Sequence, residues 1–241
     1  MYKSLTRFLS LLFQRKRLQL DGSDHHDDEE EDDSSSSSSN SLESRHRRSA
    51  LLADWLVQRF DMSKPDHVVL DVAGGRKCDV GFELKIRRSE AVQAEVVCID
   101  PRGQVGVGGI KRRTPKWKAK IMKKNKEEDS ELKHLNEMFT EDLLDKMLRD
   151  DGGKEVRLIL GMHPDEATEP IVDLALKHDL SFAIVPCCVF AHANPGRRMK
   201  SGQEPKTYEQ FCDYLMEKDP EIRSESLGFR GRDKILYRLR T

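Results

Sequence analysis

From residue 49 onward, the apolar positions alternate between two periods. Ser49 to Phe60 (S-A-L-L-A-D-W-L-V-Q-R-F) puts Leu52, Trp55, Leu56 and Phe60 on one side of a helix. His67 to Val72 carries the apolar run Val68 to Leu70 and then Val72 beyond Asp71, as expected of a strand buried on both faces. A helix is predicted from about Asp79 to Glu90, and a second strand from Glu95 to Asp100. The pattern is irregular up to Lys126, where Lys116 to Met122 has the composition of a short strand. Ser130 to Arg149 has a helical apolar face (Leu132, Leu135, Met138, Phe139, Leu143, Leu144 and Met147). Then come a strand (Glu155 to Gly161), a helix (Asp165 to His178), a strand (Ser181 to Pro186) and a helix (Thr207 to Lys218). A hairpin closes the chain: Glu225 to Phe229, the turn Arg230-Gly-Arg-Asp233, and Lys234 to Arg240.

Strands alternating with helices imply a parallel sheet, and the terminal hairpin adds an antiparallel strand. The expected fold is therefore α/β and doubly wound, with a mostly parallel seven-stranded sheet, helices on both faces and an antiparallel last strand. The chain of 241 residues has room for one such domain, predicted over 45–241, and a tail.

Composition divides that tail. Residues 1–20 carry Lys3, Arg7, Arg15, Lys16 and Arg17 with no acid, and Leu5, Phe8, Leu9 and Leu12 share a helical face. Such a basic amphipathic segment has the character of a transit peptide, or of a basic arm. Residues 21–44 hold the acidic run Asp27 to Asp33 followed by six serines, Ser34 to Ser39, which offer no apolar surface to offset chain entropy; a disordered linker is predicted. Net charge is −1 in spite of this segregation. No apolar stretch approaches the roughly 20 residues of a membrane span. Five cysteines without a C-x-x-C pair point to a reducing, intracellular compartment rather than a disulfide framework: cytoplasmic or nuclear, or organellar if residues 1–20 are a transit peptide. Nothing in the sequence demands an obligate protein partner.

Candidate chemistry sits at the strand ends. The first strand runs into Asp71-Val-Ala73-Gly74-Gly75, a tight turn before a helix, and the second closes on Asp100, with Arg102 two residues on. An acid at the end of the adjacent parallel strand is suited to gripping ribose hydroxyls. After the fourth strand, His163 and Asp165 stand where the crevice of such a sheet opens, although Asp165 also fits a helix cap. After the fifth come Pro186, Cys187 and Cys188. The two cysteines with His163 and His192 fit no zinc spacing, so no metal is expected. Lys111 to Lys126 holds nine basic residues and no acid. Lys111, Arg112, Arg113, Lys116 and Lys118 suit a phosphate backbone, and Trp117 a stacked base; Arg197 and Arg198 extend the same expected edge. RNA is the partner this favours, against a solvated loop or one paired with the acidic tail.

The D-x-G-x-G-x-G turn pattern of class I S-adenosylmethionine-dependent methyltransferases is similar to Asp71, Gly74 and Gly75 here, with Ala73 and Lys77 at usual glycine positions. Asp100 matches that family's ribose-binding acid. The resemblance spans about residues 49–241. It implies S-adenosyl-L-methionine as cofactor, held by Asp71, Ala73, Gly74, Gly75, Asp100 and Arg102, with Asp165 and His163 as catalytic candidates. Segments His163 to Glu169 and Pro186 to Cys188 resemble a branch that contains a tRNA 2′-O-methyltransferase family and the methyltransferase domain of glutathione S-transferase C-terminal-domain-containing proteins. The matching positions are His163, Ala167, Thr168, Cys187 and Cys188; Asp165 replaces that branch's Cys-Gly region, and Val189 its histidine. The alternatives are an inactive RNA-binding module of the same fold, or a NAD-type oxidoreductase, whose G-x-G-x-x-G fingerprint would need glycine at Ala73 and Cys78.

Overall fold

The structure, a computed structural model, describes residues 37–86, 92–102, 132–149, 152–190 and 194–240. Residues 41–241 form one compact unit. Helix α1 (Ser37–Arg59) precedes β1 (His67–Val72), α2 (Asp79–Ile86), β2 (Glu95–Ile99) and β3 (Lys133–Leu135). There follow α3 (Glu141–Arg149), β4 (Glu155–Met162), α4 (Thr168–Lys177), β5 (Ser181–Val185), α5 (Tyr208–Met216), β6 (Arg223–Ser226) and β7 (Lys234–Arg238).

The seven strands lie in the order β3-β2-β1-β4-β5-β7-β6. Every neighbouring pair from β3 to β5 is parallel, whereas β7 runs antiparallel to both β5 and β6. The chain reverses its direction of winding between β1 and β4, so the crevice of this sheet opens beyond the C-terminal ends of those two strands.

Strand alternation divides the core into two layers. Val68, Leu70 and Val72 of β1 join Ile159, Phe182 and Phe211 on one face, with α3, α4 and α5. Val69 joins Leu52, Leu56, Leu84, Leu160 and Val185 on the other, with α1 and α2. Asp71 lies on this second face, in register with Leu160 on one side and Cys98 on the other.

The elements depart from expectation in three places. Helix α1 starts at Ser37, inside the serine tract expected to be linker; once nucleated on the apolar face of 52–60, a helix extends at little further cost per residue. The helix expected over Ser130 to Arg149 is two elements. Lys133–Leu135 pairs with β2 as an edge strand, and α3 begins only after Thr140, whose hydroxyl accepts the Leu143 amide hydrogen at 3.3 Å. Leu132, Leu135 and Met138 imitate a helical stripe by spacing alone, and Met138 is 61 % exposed. In the hairpin β6 begins two residues early, and the connecting loop turns at Gly228 and Gly231, both with positive φ. The short strand expected at Lys116 to Met122 lies outside the described residues, as do residues 1–36. No described helix is long and apolar enough to cross a membrane.

One carboxylate binds α1 to the terminal hairpin. Glu225 accepts hydrogen bonds from Trp55 Nε1 (3.0 Å), Arg59 (2.6 Å) and the Tyr237 hydroxyl (2.6 Å), and Trp55 packs edge-on against Tyr237. The Tyr237 hydroxyl leads in holding the Glu225 carboxyl down, to about 2, with Trp55 and Arg59 adding to it against the opposing effect of burial. A carboxyl depressed on folding stabilises the fold above its unfolded value near 4.5 and loses that contribution as pH falls through about 2. Partial exposure limits the contribution to about 1 kcal/mol. Glu225→Gln should therefore be less stable than wild type by about that amount at neutral pH in urea unfolding. The gap should close between pH 4.5 and 2; a gap that persists at the acid end would contradict this role.

Candidate functional site

The β1–α2 turn is shaped by two carboxylates. Asp71 is completely buried, and its Oδ2 accepts the Gly81 amide hydrogen at 2.9 Å, fixing the first turn of α2. Burial, with the charges of Asp79 and Asp100 and against the Gly81 hydrogen bond, pushes its carboxyl up to about 7. A Cβ at Gly74 would stand 2.7 Å from Asp71 Oδ2 and 2.8 Å from Cys98 Sγ, so only glycine lets the turn close over this residue. From the crevice side, Asp100 Oδ2 accepts the Gly75 amide hydrogen at 2.9 Å. Gly75 has φ +72 and Ala73 φ +52, a left-handed backbone on which a Cβ is strained.

A crevice of about 290 Å³ lies at the switch point. Ala73, Asp100 and Arg102 line one side; Pro164, Asp165, Glu166 and Ala167 line another; Ile99, Pro101, Met138, Phe139 and Phe190 supply apolar wall. Ala73, Asp165 and Phe190 all have positive φ, as does the adjacent His163. Each such residue costs on the order of 1–3 kcal/mol, and strain of this kind collects at functional sites.

Asp100 is nearly inaccessible (1 %) because the 60 %-exposed Arg102 covers it. Arg102 Nε and Nη2 donate to the two carboxylate oxygens at 2.9 and 2.8 Å, and the Arg102 amide adds a third bond. Burial alone would raise Asp100, but the Arg102 donors and charge, with Gly75, outweigh it and keep the carboxyl below its ordinary value. Arg102 and Asp100 both line the crevice, the exposed guanidinium lying over the inaccessible carboxylate.

Across the crevice, Cys187 Sγ donates to Asp165 Oδ1 at 3.0 Å. Burial, followed by this neighbouring carboxylate, pushes the Cys187 thiol up, so it is a donor and not a thiolate nucleophile. Asp165 is exposed, and its second oxygen accepts no hydrogen bond among the described residues.

The structure thus brings Ala73, Asp100, Arg102 and Asp165 to one crevice, with Gly75 and Cys187 behind them. Other residues expected at the site stand elsewhere. Asp71 lies beneath the turn, as its support. His163 does not line the crevice: its Nε2 meets the Arg232 carbonyl at 3.0 Å and its ring packs against Phe229. Burial is the main cause of its lowered pKa. Cys188 Sγ faces Arg232 at 3.7 Å, and Pro186 is buried. Arg197 is a core residue and not a surface cation: it bonds Glu169 at 2.6 Å and the Val189 carbonyl, and covers the Phe211 ring. Arg198 folds back on the Pro195 and Arg197 carbonyls. Lys111, Arg112, Arg113, Lys116, Trp117, Lys118 and His192 lie outside the described residues.

Cys78 and Cys98 form a disulfide, whereas the cysteine count and spacing point to a reducing compartment and away from a disulfide framework. Cys98 projects from β2 beneath the turn that carries Cys78, a proximity that a sequence separation of 20 conceals. Sequence reading also missed Met138, Phe139 and Phe190 as crevice wall. Exposure of a large apolar side chain was the available signal for Met138, but it is visible only in three dimensions.

The chain matches no protein-family model, and no curated protein is significantly similar to it.

Gly74→Ala should destabilise the protein by about 1–3 kcal/mol through overpacking against Asp71 and Cys98. Gly196→Ala, where an added Cβ meets nothing within 4 Å, provides the control and should change little. Urea unfolding with an unchanged m-value in both variants checks this.

Proposed function

We propose that the chain is an S-adenosyl-L-methionine-dependent methyltransferase acting on RNA. The observation that carries the reading is the junction of Gly75 and Asp100, where the amide of the first-strand turn and the carboxylate after the second strand meet at 2.9 Å, directly behind the crevice wall. The donor set suits an adenosyl group. Asp100 can accept two ribose hydroxyls once Arg102 turns out, and Ile99, Met138 and Phe139 offer apolar surface for the base.

The sheet adds support of a weaker kind, since a fold hosts many functions. β7 lies antiparallel beside β5, where dinucleotide-binding folds carry a parallel sixth strand. Ala73 and Cys78 replace two glycines of the dinucleotide fingerprint. Both features favour the methyl donor over NAD. The basic run of Lys111 to Lys126, with Trp117, supports a nucleic-acid acceptor.

When bound, the cofactor supplies a methyl group on a sulfonium, already a good leaving group. The protein's tasks are then to bind, orient and exclude water. Asp100 holds the ribose end, and the Gly75 amide fixes Asp100. Met138, Phe139 and Phe190 give the crevice apolar wall. Asp165, held at Oδ1 by the Cys187 thiol, takes the proton of an acceptor hydroxyl at Oδ2. His163, turned to the Arg232 carbonyl, orients the loop that carries Asp165.

Calorimetric titration with S-adenosylhomocysteine and NAD, and transfer of labelled methyl to total RNA, test this reading. Wild type should bind the homocysteine form and not NAD. Asp100→Asn should bind it about 10- to 100-fold more weakly, the weight of a charge-assisted hydrogen bond or two. Arg102→Ala should bind it more tightly, since the competing cation is gone. Asp165→Ala should lose about 10²- to 10⁴-fold in methyl transfer and keep its affinity. Binding without transfer to any RNA would identify an inactive module, and NAD binding an oxidoreductase.

Neutralising Lys111, Arg112, Arg113, Lys116 and Lys118 to glutamine should weaken RNA retention in a filter assay. It should also flatten the dependence of log affinity on log salt, by up to about 0.7 for each phosphate that is no longer neutralised. An unchanged slope would remove this segment from RNA binding.

A further inference from the structure

Beneath the β1–α2 turn, on the face opposite the crevice floor, three adjacent strands place Asp71, Cys98 and His134 side by side in register. Cys78 comes down on this row from the turn above. The two sulfurs and an imidazole nitrogen of His134 lie within 4.8 Å of one another. The surrounding layer is apolar, so a polar row here needs an explanation. A disulfide between Cys78 and Cys98 leaves one part of it unexplained. His134 Nδ1 is engaged by Asn136 Oδ1 at 2.7 Å, and the buried Nε2 has no hydrogen-bond partner among the described residues. An orphaned buried acceptor costs about 1–3 kcal/mol.

We infer that the reduced Cys78–Cys98 pair and His134 Nε2 form a binding site for a zinc-like divalent cation. Two thiolates and an imidazole are the donor set that zinc prefers, and three protein ligands leave a fourth position for water. Asn136 acts as the outer partner that fixes the tautomer, a proton on Nδ1 and a lone pair on Nε2, as metal-bound histidines generally require. Coordination releases the two thiol protons to solvent and involves no electron transfer. Beforehand, the disulfide must take up two electrons and two protons from a reductant. A trialkylphosphine supplies these in water, ending as its phosphine oxide. The ion would bind the turn to β2 and β3, making the platform under Gly74 a metal-dependent one. The site stands on its own geometry and is independent of what the crevice binds.

The other thiol-bearing cluster among the described residues, Asp165 with Cys187 and Cys188, is the competitor for metal. The test therefore uses the full chain carrying Cys187→Ser, Cys188→Ser and Cys212→Ser. This protein is reduced anaerobically with a phosphine, loaded with Zn²⁺, desalted and analysed for bound metal; Co²⁺ loading provides a spectroscopic readout. The expected result is about one Zn²⁺ per chain and a thiolate-to-cobalt charge-transfer band. Adding Cys78→Ser should abolish both. Asn136→Ala should weaken Zn²⁺ binding about 10- to 100-fold, and His134→Ala by at least as much. The last two changes lie at an edge strand and its exit, and are read on folded protein even if the cysteine variant fails to fold. Less than about a tenth of an equivalent of zinc on the reduced chain, or affinity unchanged by His134→Ala, would overturn the site and leave a plain disulfide. Because the readout is metal content, failure here is distinct from failure to bind a methyl donor.

Discussion

The crevice depends on a short turn clasped from both sides by acids. Asp71 holds it from beneath through the Gly81 amide, and Asp100 from the crevice side through the Gly75 amide. Each bond is made by a carboxylate withdrawn from water, where an amide hydrogen bond is worth more and its loss is more damaging. Gly74 permits the clasp, since any Cβ would strike Asp71 and Cys98. The turn can thus present its backbone to a ligand without a full set of glycines, with Ala73 forced into a left-handed conformation.

The same geometry creates competition for Asp100. Its carboxylate is desolvated, and an uncompensated buried charge would cost several kcal/mol. Arg102 provides compensation while the crevice is free, and a ligand's hydroxyls would have to replace it. Affinity is then the difference between two sets of charge-assisted bonds, not the sum of one. Three strained backbones (Ala73, Asp165 and Phe190) line the crevice where this exchange takes place, with a fourth, His163, next to Pro164, and the packed layers on either side of the sheet hold them.

Much of the fold was legible because buried parallel strands are apolar runs and their crossover helices have one apolar side. His67–Val72, Glu95–Ile99 and Ser181–Val185 fall within a residue of expectation for that reason. The failures are equally physical. A three-residue edge strand such as Lys133–Leu135 has too few positions to show a period, and its Leu135, with the preceding Leu132, fitted a helical stripe as well. Arg197 read as a surface cation because sequence carries no sign of Glu169, Val189 and Phe211 converging on it. Of the candidate site, the strand-end residues Ala73, Asp100 and Asp165 were recoverable from position alone. The roles of Asp71 and His163 were not, because a strand-end residue faces the ligand or the layer below according to register.

By itself the sequence determined the α/β class, the alternation of elements, the antiparallel last strand and the acids that end β1 and β2. Those properties are local: periodicity and turn chemistry act over a few residues. Tertiary structure alone decided that Cys78, Cys98 and His134 share a corner, that Arg102 shields Asp100, and that Met138 and Phe190 form wall. The first depends on pairing register between strands distant in the chain, where a shift of one residue would send every side chain to the opposite face. The second is set by the turn that follows β2, and the third by loops that converge on the crevice.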